Sequence, residues 1–323
     1  MKKNLLKVVC AILLVGMLSI SLIGCTSDKN YLQSLEDLGI FNNKSDNMYA
    51  QTEIYELVNR HMSTPSTDGT LKKSLIIAFD GARADALSTI CLKADQDPNN
   101  LGVNTLYSGI NEVRKDGGLY LAYCGGDKND KKKQQATSTS PGFATILTGK
   151  WGQETAVVDN GISMNAESKT ILRQYAEQGK TTSFTASWDD HFTVVFKNEV
   201  DAPIRPNGEF KGKQVFNNVT NEIDAHQANK VAINEGTDIV FGIYETPDNV
   251  GHNSGFGNQN SQYTKAVRDS DNFAYELVQM VKERENEDWL IIITTDHGGN
   301  KTWHGKQTMF ERTVWFACNK KLH

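Results

Sequence analysis

Three apolar runs, each closing on an acid or imidazole beside glycine or proline, organise this chain. They are Ser74-Leu-Ile-Ile-Ala-Phe-Asp-Gly81, Ile239-Val-Phe-Gly-Ile-Tyr-Glu-Thr-Pro-Asp248 and Leu290-Ile-Ile-Ile-Thr-Thr-Asp-His-Gly-Gly299. Short apolar runs bounded by turn residues read as strands. Glu311-Arg-Thr-Val-Trp-Phe-Ala317 reads as a late strand. Ala50-Gln-Thr-Glu-Ile-Tyr-Glu-Leu-Val-Asn-Arg60 has Ile54, Leu57 and Val58 at helical spacing and predicts a helix. The turn Thr64-Pro-Ser-Thr-Asp-Gly69 then leads into the first strand. Alternating elements of this kind predict an α/β fold.

In an open α/β sheet, ligands bind outside the carboxyl ends of the strands. Loops after different strands therefore bring distant residues to one rim. Seven residues stand at such places or in polar loops: Asp80, Thr139, Asp248, His252, Asp296, His297 and His304. Carboxylates and imidazoles without cysteine suit zinc or a similar divalent ion. The pattern points to a two-metal hydrolase. Taken singly, each of these positions also has a structural role open to it, as turn, cap or core residue. Arg83 and Asp85 read as helix-start residues that support the loop after Asp80. His61, His191, His226 and His323 lie outside the motifs and read as structural or exposed.

The N-terminus bears on where the chain works. Lys2 and Lys3 precede a short apolar core, Val8-Val-Cys-Ala-Ile-Leu-Leu-Val-Gly-Met-Leu18, and then Leu22-Ile-Gly-Cys25. A charged start, a short core and small residues before a cut describe a secretory signal over residues 1–24. Leu-Ile-Gly-Cys resembles a bacterial lipobox, which implies a lipid on Cys25 and an extracytoplasmic domain tied to the membrane. An uncleaved anchor helix is the other reading. Residues 25–49, rich in Ser, Asp, Asn and Lys, read as a tether, and residues 50–323 as one catalytic domain.

Charge and cysteine content narrow the classes. The formal net charge is −5, and loss of residues 1–24 with their three lysines brings it to −8. No broad attraction to nucleic acid is expected, so phosphate affinity has to be local. Lys128-Asn-Asp-Lys-Lys-Lys-Gln-Gln135 reads as a solvated loop that could also flank the cleft. Cys91, Cys124 and Cys318 remain after Cys25. Their odd number and spacing form no disulfide framework; a Cys91–Cys124 bridge and buried free thiols are both open.

Ile77-Ala-Phe-Asp-Gly-Ala-Arg-Ala-Asp-Ala-Leu87 resembles the opening motif of type I phosphodiesterases and nucleotide pyrophosphatases in the alkaline phosphatase superfamily. Thr137-Ser-Thr-Ser-Pro-Gly-Phe-Ala-Thr-Ile-Leu-Thr-Gly149 resembles that family's nucleophile segment, and Val158-Asp-Asn160 falls where it carries a phosphate-binding Asn. Pro247–His252, Thr295–Gly299 and Trp303-His-Gly305 resemble the remaining metal motifs, in family order over about residues 74–315.

The resemblance implies an alkaline-phosphatase-like three-layer α/β/α sandwich around a mostly parallel sheet. It implies two zinc ions, one on Asp248, His252 and His304 and one on Asp80, Asp296 and His297, with Thr139 at or between them as nucleophile and metal ligand. A phospho-threonine intermediate follows, with Asn160 and a backbone amide near Thr139 donating to a phosphate oxygen. Metal coordination is what activates a threonine hydroxyl, and two ions roughly 4 Å apart stabilise both the attacking and the leaving oxygen.

Departures from the family pattern fall at the specificity positions. Thr139-Ser-Pro-Gly142 stands in place of a Thr-Phe-Pro-Asn form, and Trp151-Gly-Gln-Glu-Thr-Ala156 in place of Tyr-Pro-x-x-His-Gly. Trp188 and Phe192 could replace the missing aromatic slot, although core packing accounts for both. A sulfatase would need Cys or Ser at 139 and Arg at 143. Three functions remain at this level: a cell-surface phosphodiesterase or nucleotide pyrophosphatase acting on a small phosphate ester, a phosphomonoesterase, and a solute-binding lipoprotein without catalysis.

Overall fold

A computed structural model describes residues 27–91, 107–201 and 212–322 of the chain. Eight strands form one sheet: β1 (Tyr49–Ala50), β2 (Leu71–Phe79), β3 (Gly118–Tyr123), β4 (Thr181–Ala186), β5 (Lys213–Asn218), β6 (Ile239–Tyr244), β7 (Glu287–Thr295) and β8 (Thr313–Cys318). Their order is β1-β3-β8-β7-β2-β6-β4-β5. β2 pairs in parallel with both β6 and β7, and only β8 runs against its neighbours. The three strongest apolar runs of the sequence are thus the three adjacent central strands.

Both faces of the sheet are covered, which explains why these runs are continuous rather than alternating. On β2, Leu75, Ile77 and Phe79 enter one core cluster, while Ile76 and Ala78 enter the other. On β7, Ile291 and Ile293 divide from Leu290 and Ile292 in the same way. The first cluster also holds Ile233, Val267, Leu277 and Val278, from helices Glu222–Asn234 and Ser261–Lys282. The second holds Ile54, Leu57 and Val58 from Glu53–Ser63, and Phe143 and Leu147 from Thr139–Thr148. The result is the expected three-layer α/β/α sandwich around a mostly parallel sheet.

The tether is a correction. Residues 27–37 are helical, and Tyr31, Leu35 and Ile40 are buried in the first core cluster. Met309 N donates to Asp28 Oδ1, and Asn43 exchanges side-chain hydrogen bonds with the backbone of Leu121 in β3. Polar composition hid an i, i+4 apolar pair, Tyr31 and Leu35, that is enough to seat one helix face. The lipobox cysteine Cys25 and residues 1–24 lie outside the described residues. Cys91, Cys124 and Cys318 are free, buried thiols, so the Cys91–Cys124 bridge does not form. Among the described residues, no helix is long and apolar enough to cross a membrane.

Candidate active site

Three parallel strands end side by side, and each delivers part of the site. Asp80 follows β2, Asp296 and His297 follow β7, and Asp248 with His252 sit on helix Thr246–Ser254 after β6. The register pairs Phe79 with Tyr244 and with Thr295, which levels the three strand ends. Thr139 opens the buried helix Thr139–Thr148, with its Oγ1 3.4 Å from His297 Nε2. His304 arrives on the loop before β8. All seven residues expected from sequence are therefore brought together.

Close backbone approach makes this convergence possible. Gly142, in the nucleophile helix, lies so near β7 that a β-carbon there would be 2.8 Å from the Cβ of Asp296. Gly81 has φ +64°, where glycine is at ease. Its amide donates to Asp296 Oδ1 at 3.0 Å, and Tyr263 Oη donates to its carbonyl. Arg83 forms an ion pair with Asp85 at 2.8 Å and donates to Gly299 O, so both residues brace the loop from behind as expected.

The three imidazoles share one orientation. His252 Nδ1 donates to Thr302 O at 2.9 Å, His297 Nδ1 to Gly298 O at 2.7 Å, and His304 Nδ1 to Thr137 O at 3.2 Å. A carbonyl can only accept, so each Nδ1 carries a proton and each Nε2 faces the cluster. His252 Nε2 lies 3.2 Å from Asp248 Oδ2 and 3.0 Å from His304 Nε2. His304 Nε2 lies 3.7 Å from Asp248 Oδ1. His297 Nε2 lies 3.3 Å from Asp80 Oδ1 and 3.4 Å from Asp296 Oδ2.

These donors fit divalent cations. Among the described residues, Asp80 Oδ1, Asp248 Oδ1 and Asp296 Oδ2 are buried without an aligned hydrogen-bond donor. Buried carboxylates left in that condition are costly unless a cation pairs with them. Two groups of donors, Asp80 with Asp296 and His297, and Asp248 with His297 and His304, each lie within 4.8 Å of one another. His297 belongs to both. Nitrogen and carboxylate ligands without thiolate match zinc and its neighbours.

The electrostatics agree. Burial, then the charges of Asp296 and Asp248, push the Asp80 carboxyl well above its usual range. Burial likewise pushes Asp296 up to about 6. Burial opposes charge on His297, yet Asp296, Asp80 and Asp248 drive it up to about 10. Burial and the neighbouring His297 bring His304 down to about 3. Carboxylates that hold a proton so firmly on an enclosed imidazole make a strong trap for positive charge.

A cavity of about 430 Å³ opens over the cluster, lined by Asp80, Thr139, Asp248, His252 and His304 on one side. Asn160 faces it too. Its Oδ1 accepts from the Ser140 amide at 2.9 Å, leaving the NH2 end as the free donor. The Ser140 amide is thereby engaged and is not the expected phosphate donor. The far wall is made by Ser187, Trp188, Thr220, Glu245 and Asn249. Of these only Trp188 was considered from sequence, with core packing favoured. Phe192 is in the core as expected, but Trp188 is half-buried and lines the cavity. Glu245 and Asn249 carried the same strand-end signal as Asp248, whereas Ser187 and Thr220 sit in segments without one.

Residues 132–314, more than half of the chain, match the sequence profile of the type I phosphodiesterase / nucleotide pyrophosphatase family. No curated protein matches in sequence. Among solved structures, a 2-O GAG sulfatase superposes with a TM-score of 0.50 at 12% identity, over 78% of this chain and 66% of its own; the likeness is one of fold. Murine ectonucleotide pyrophosphatase / phosphodiesterase 5 gives 0.45 at 19% identity, over 71% of this chain, which spans 58% of the murine one. The alkaline phosphatase of the Antarctic bacterium TAB5 gives 0.46 at 10% identity, over 77% and 91% of the two chains.

Proposed function

Because the chain belongs to the type I phosphodiesterase / nucleotide pyrophosphatase family, whose members hydrolyse phosphate esters, we propose that it cleaves small phosphate diesters through Thr139 at a site for two zinc ions. The observation that carries the diester reading is the cavity wall. It joins Thr139, Asp80 and the Asp248–His252–His304 group to Trp188, Thr220 and Asn249, and among the described residues no lysine or arginine lines it. A monoester brings an extra negative charge that such a wall leaves unmatched. Lys150 lines a separate cavity with Glu167 and Lys169, and Lys133 lies on the exposed turn Lys131–Lys133.

Asp248, His252 and His304 would hold one ion, and Asp80, Asp296 and His297 the other, with His297 Nε2 close enough to Asp248 and His304 to support the first ion as well. Bound there, two dications supply charge neutralisation at the ester oxygens and favour ionisation of the Thr139 hydroxyl. The chain's own contribution is placement. Thr139 Oγ1 stands at the first turn of its helix, so phosphate entering toward it meets the positive end of the helix dipole. Asn160, set by Ser140, turns its NH2 toward a non-bridging oxygen. Oγ1 bonds to phosphorus as the bond to the leaving oxygen breaks, and water then cleaves the threonine ester and restores the hydroxyl.

Hydrolysis of bis-p-nitrophenyl phosphate and of p-nitrophenyl phosphate by the zinc-loaded protein tests this reading. The diester is expected to be preferred, and Thr139→Ala is expected to abolish turnover while metal content stays unchanged. A strong monoester preference overturns the diester reading, and activity surviving in Thr139→Ala overturns the nucleophile. Anchoring at Cys25 and an extracytoplasmic site of action belong to the same proposal and rest on residues 1–25. Radiolabelled palmitate incorporated by the wild type and lost in Cys25→Ala is the expected result.

A further inference from the structure

The far wall of the cavity is held by one carboxylate. Glu245 follows β6 and is buried, three residues before Asp248. Its Oε1 accepts from the amides of Ser187 at 3.1 Å and Trp188 at 2.7 Å, and its Oε2 from the Ser187 hydroxyl. Three donors from the turn after β4 thus converge on one side chain rooted beside the metal-site helix. Asn218 Nδ2 also donates to Asp189 Oδ1 at 2.6 Å, at the exposed end of the turn, whereas the half-buried Ser187 and Trp188 are tied to Glu245.

The packing behind Trp188 keeps the carboxylate committed to this turn. His191 is fully buried, with its ring edge-on to Trp188 at 5.1 Å and against Phe143 at 5.3 Å and Phe184 at 5.7 Å. Its Nε2 is 3.9 Å from Glu245 Oε1, beyond hydrogen-bond reach, and neither ring nitrogen has a partner among the described residues. The aromatic cage thus supports the indole from below without drawing Glu245 away. A single-turn π-helix, His191–Val195, follows directly, a distortion that often accompanies functional sites.

We infer that Glu245 is a positioning residue that latches the Ser187–Trp188 turn, so that the Trp188 indole forms the wall for the ester group the enzyme retains, and that this group is planar and uncharged. Thr220 and Asn249 border the same wall with neutral polar groups. Ser140, next to the nucleophile, is fully buried and offers no surface to stack on. The inference rests on the phosphodiesterase reading, so its test must fail separately from that reading.

Two diesters with the same leaving group, bis-p-nitrophenyl phosphate and methyl p-nitrophenyl phosphate, isolate the retained group. In the zinc-loaded full chain, Trp188→Ala is expected to raise KM for the aryl diester about tenfold and to leave the methyl diester nearly unchanged. Glu245→Gln, which replaces one accepting oxygen by a donor, is expected to shift KM the same way with kcat and zinc content retained. It should also speed hydrogen exchange at the Ser187 and Trp188 amides about tenfold. Unchanged exchange overturns the latch. Faster exchange with the aryl preference intact, or a kcat loss shared by both diesters, overturns the wall. A wild type that hydrolyses neither diester overturns the phosphodiesterase reading and the wall with it, while exchange still judges the latch.

Discussion

Gly81 is pressed against Asp248: a β-carbon on residue 81 would stand 2.5 Å from Asp248 Oδ1 and 2.9 Å from its Cβ. The contact joins the loop after β2 to the helix after β6, so the two metal groups are spaced by backbone as well as by side chains. It also explains why Asp-Gly follows the first strong strand.

Gly81→Ala therefore strikes the site twice. The residue loses its ease at φ +64°, at a cost of about 1 kcal/mol, and the new methyl displaces Asp248. The expected variant is folded, melts a few degrees lower, and binds one of two zinc ions at least tenfold more weakly, with turnover falling in step. Zinc titration followed by chelator competition checks this. Two normal sites would show that the loop gives way without moving Asp248.

How much of this was legible in the chain depends on where the physics is written. The central strands are covered on both faces, so their composition alone shows them, and each closes on a residue of the site. Asp80, Asp248, Asp296 and His297 could therefore be read from local pattern. The wall could not: Ser187 and Trp188 acquire their role from Glu245, 58 and 57 residues away, across two strands. The helix at 27–37 was missed for a related reason, because Tyr31 and Leu35 look incidental until the surface that receives them is known.

Chelation should destabilise the protein as well as silence it. Three carboxylate oxygens sit buried without aligned donors, and ions that bind only the folded state add stability by mass action, about 4 kcal/mol at a thousandfold excess over Kd. Thermal melts with zinc are expected to exceed those with EDTA by roughly 5–10 °C. Identical melts would show that the cluster is satisfied without metal.

Asp271 supplies a pH test remote from the metal site. It lies on helix Ser261–Lys282 and accepts the Ile110 amide at 2.8 Å, in the first turn of helix Gly109–Asp116. Burial pushes its carboxyl from 3.8 up to about 7, although Ser108, Ile110 and Gly109 donate to it. Between about pH 4 and 7 the folded protein thus keeps a proton the unfolded chain has lost, and its contribution to stability declines as pH rises through that window. Asp271→Asn accepts the same amides without ionising. Its melting temperature is expected to gain on the wild type by roughly 2–4 °C between pH 5 and 8. A gap that does not change with pH would contradict the assignment.

His304 and His297 separate the two ions. His304 Nε2 approaches Asp248 and His252 but neither Asp80 nor Asp296 within ion-pair distance, whereas His297 Nε2 belongs to both close groups of donors. His304→Ala is therefore expected to release one zinc ion at moderate chelator strength while the Asp80–Asp296 pair keeps the other. His297→Ala is expected to weaken both, and to free Thr139 Oγ1 from its one imidazole neighbour at 3.4 Å. Metal analysis after graded chelation gives the stoichiometries directly. Loss of a single ion in both variants would return His297 to the Asp80–Asp296 ion alone, and retention of both ions in His304→Ala would remove His304 from the ligand set.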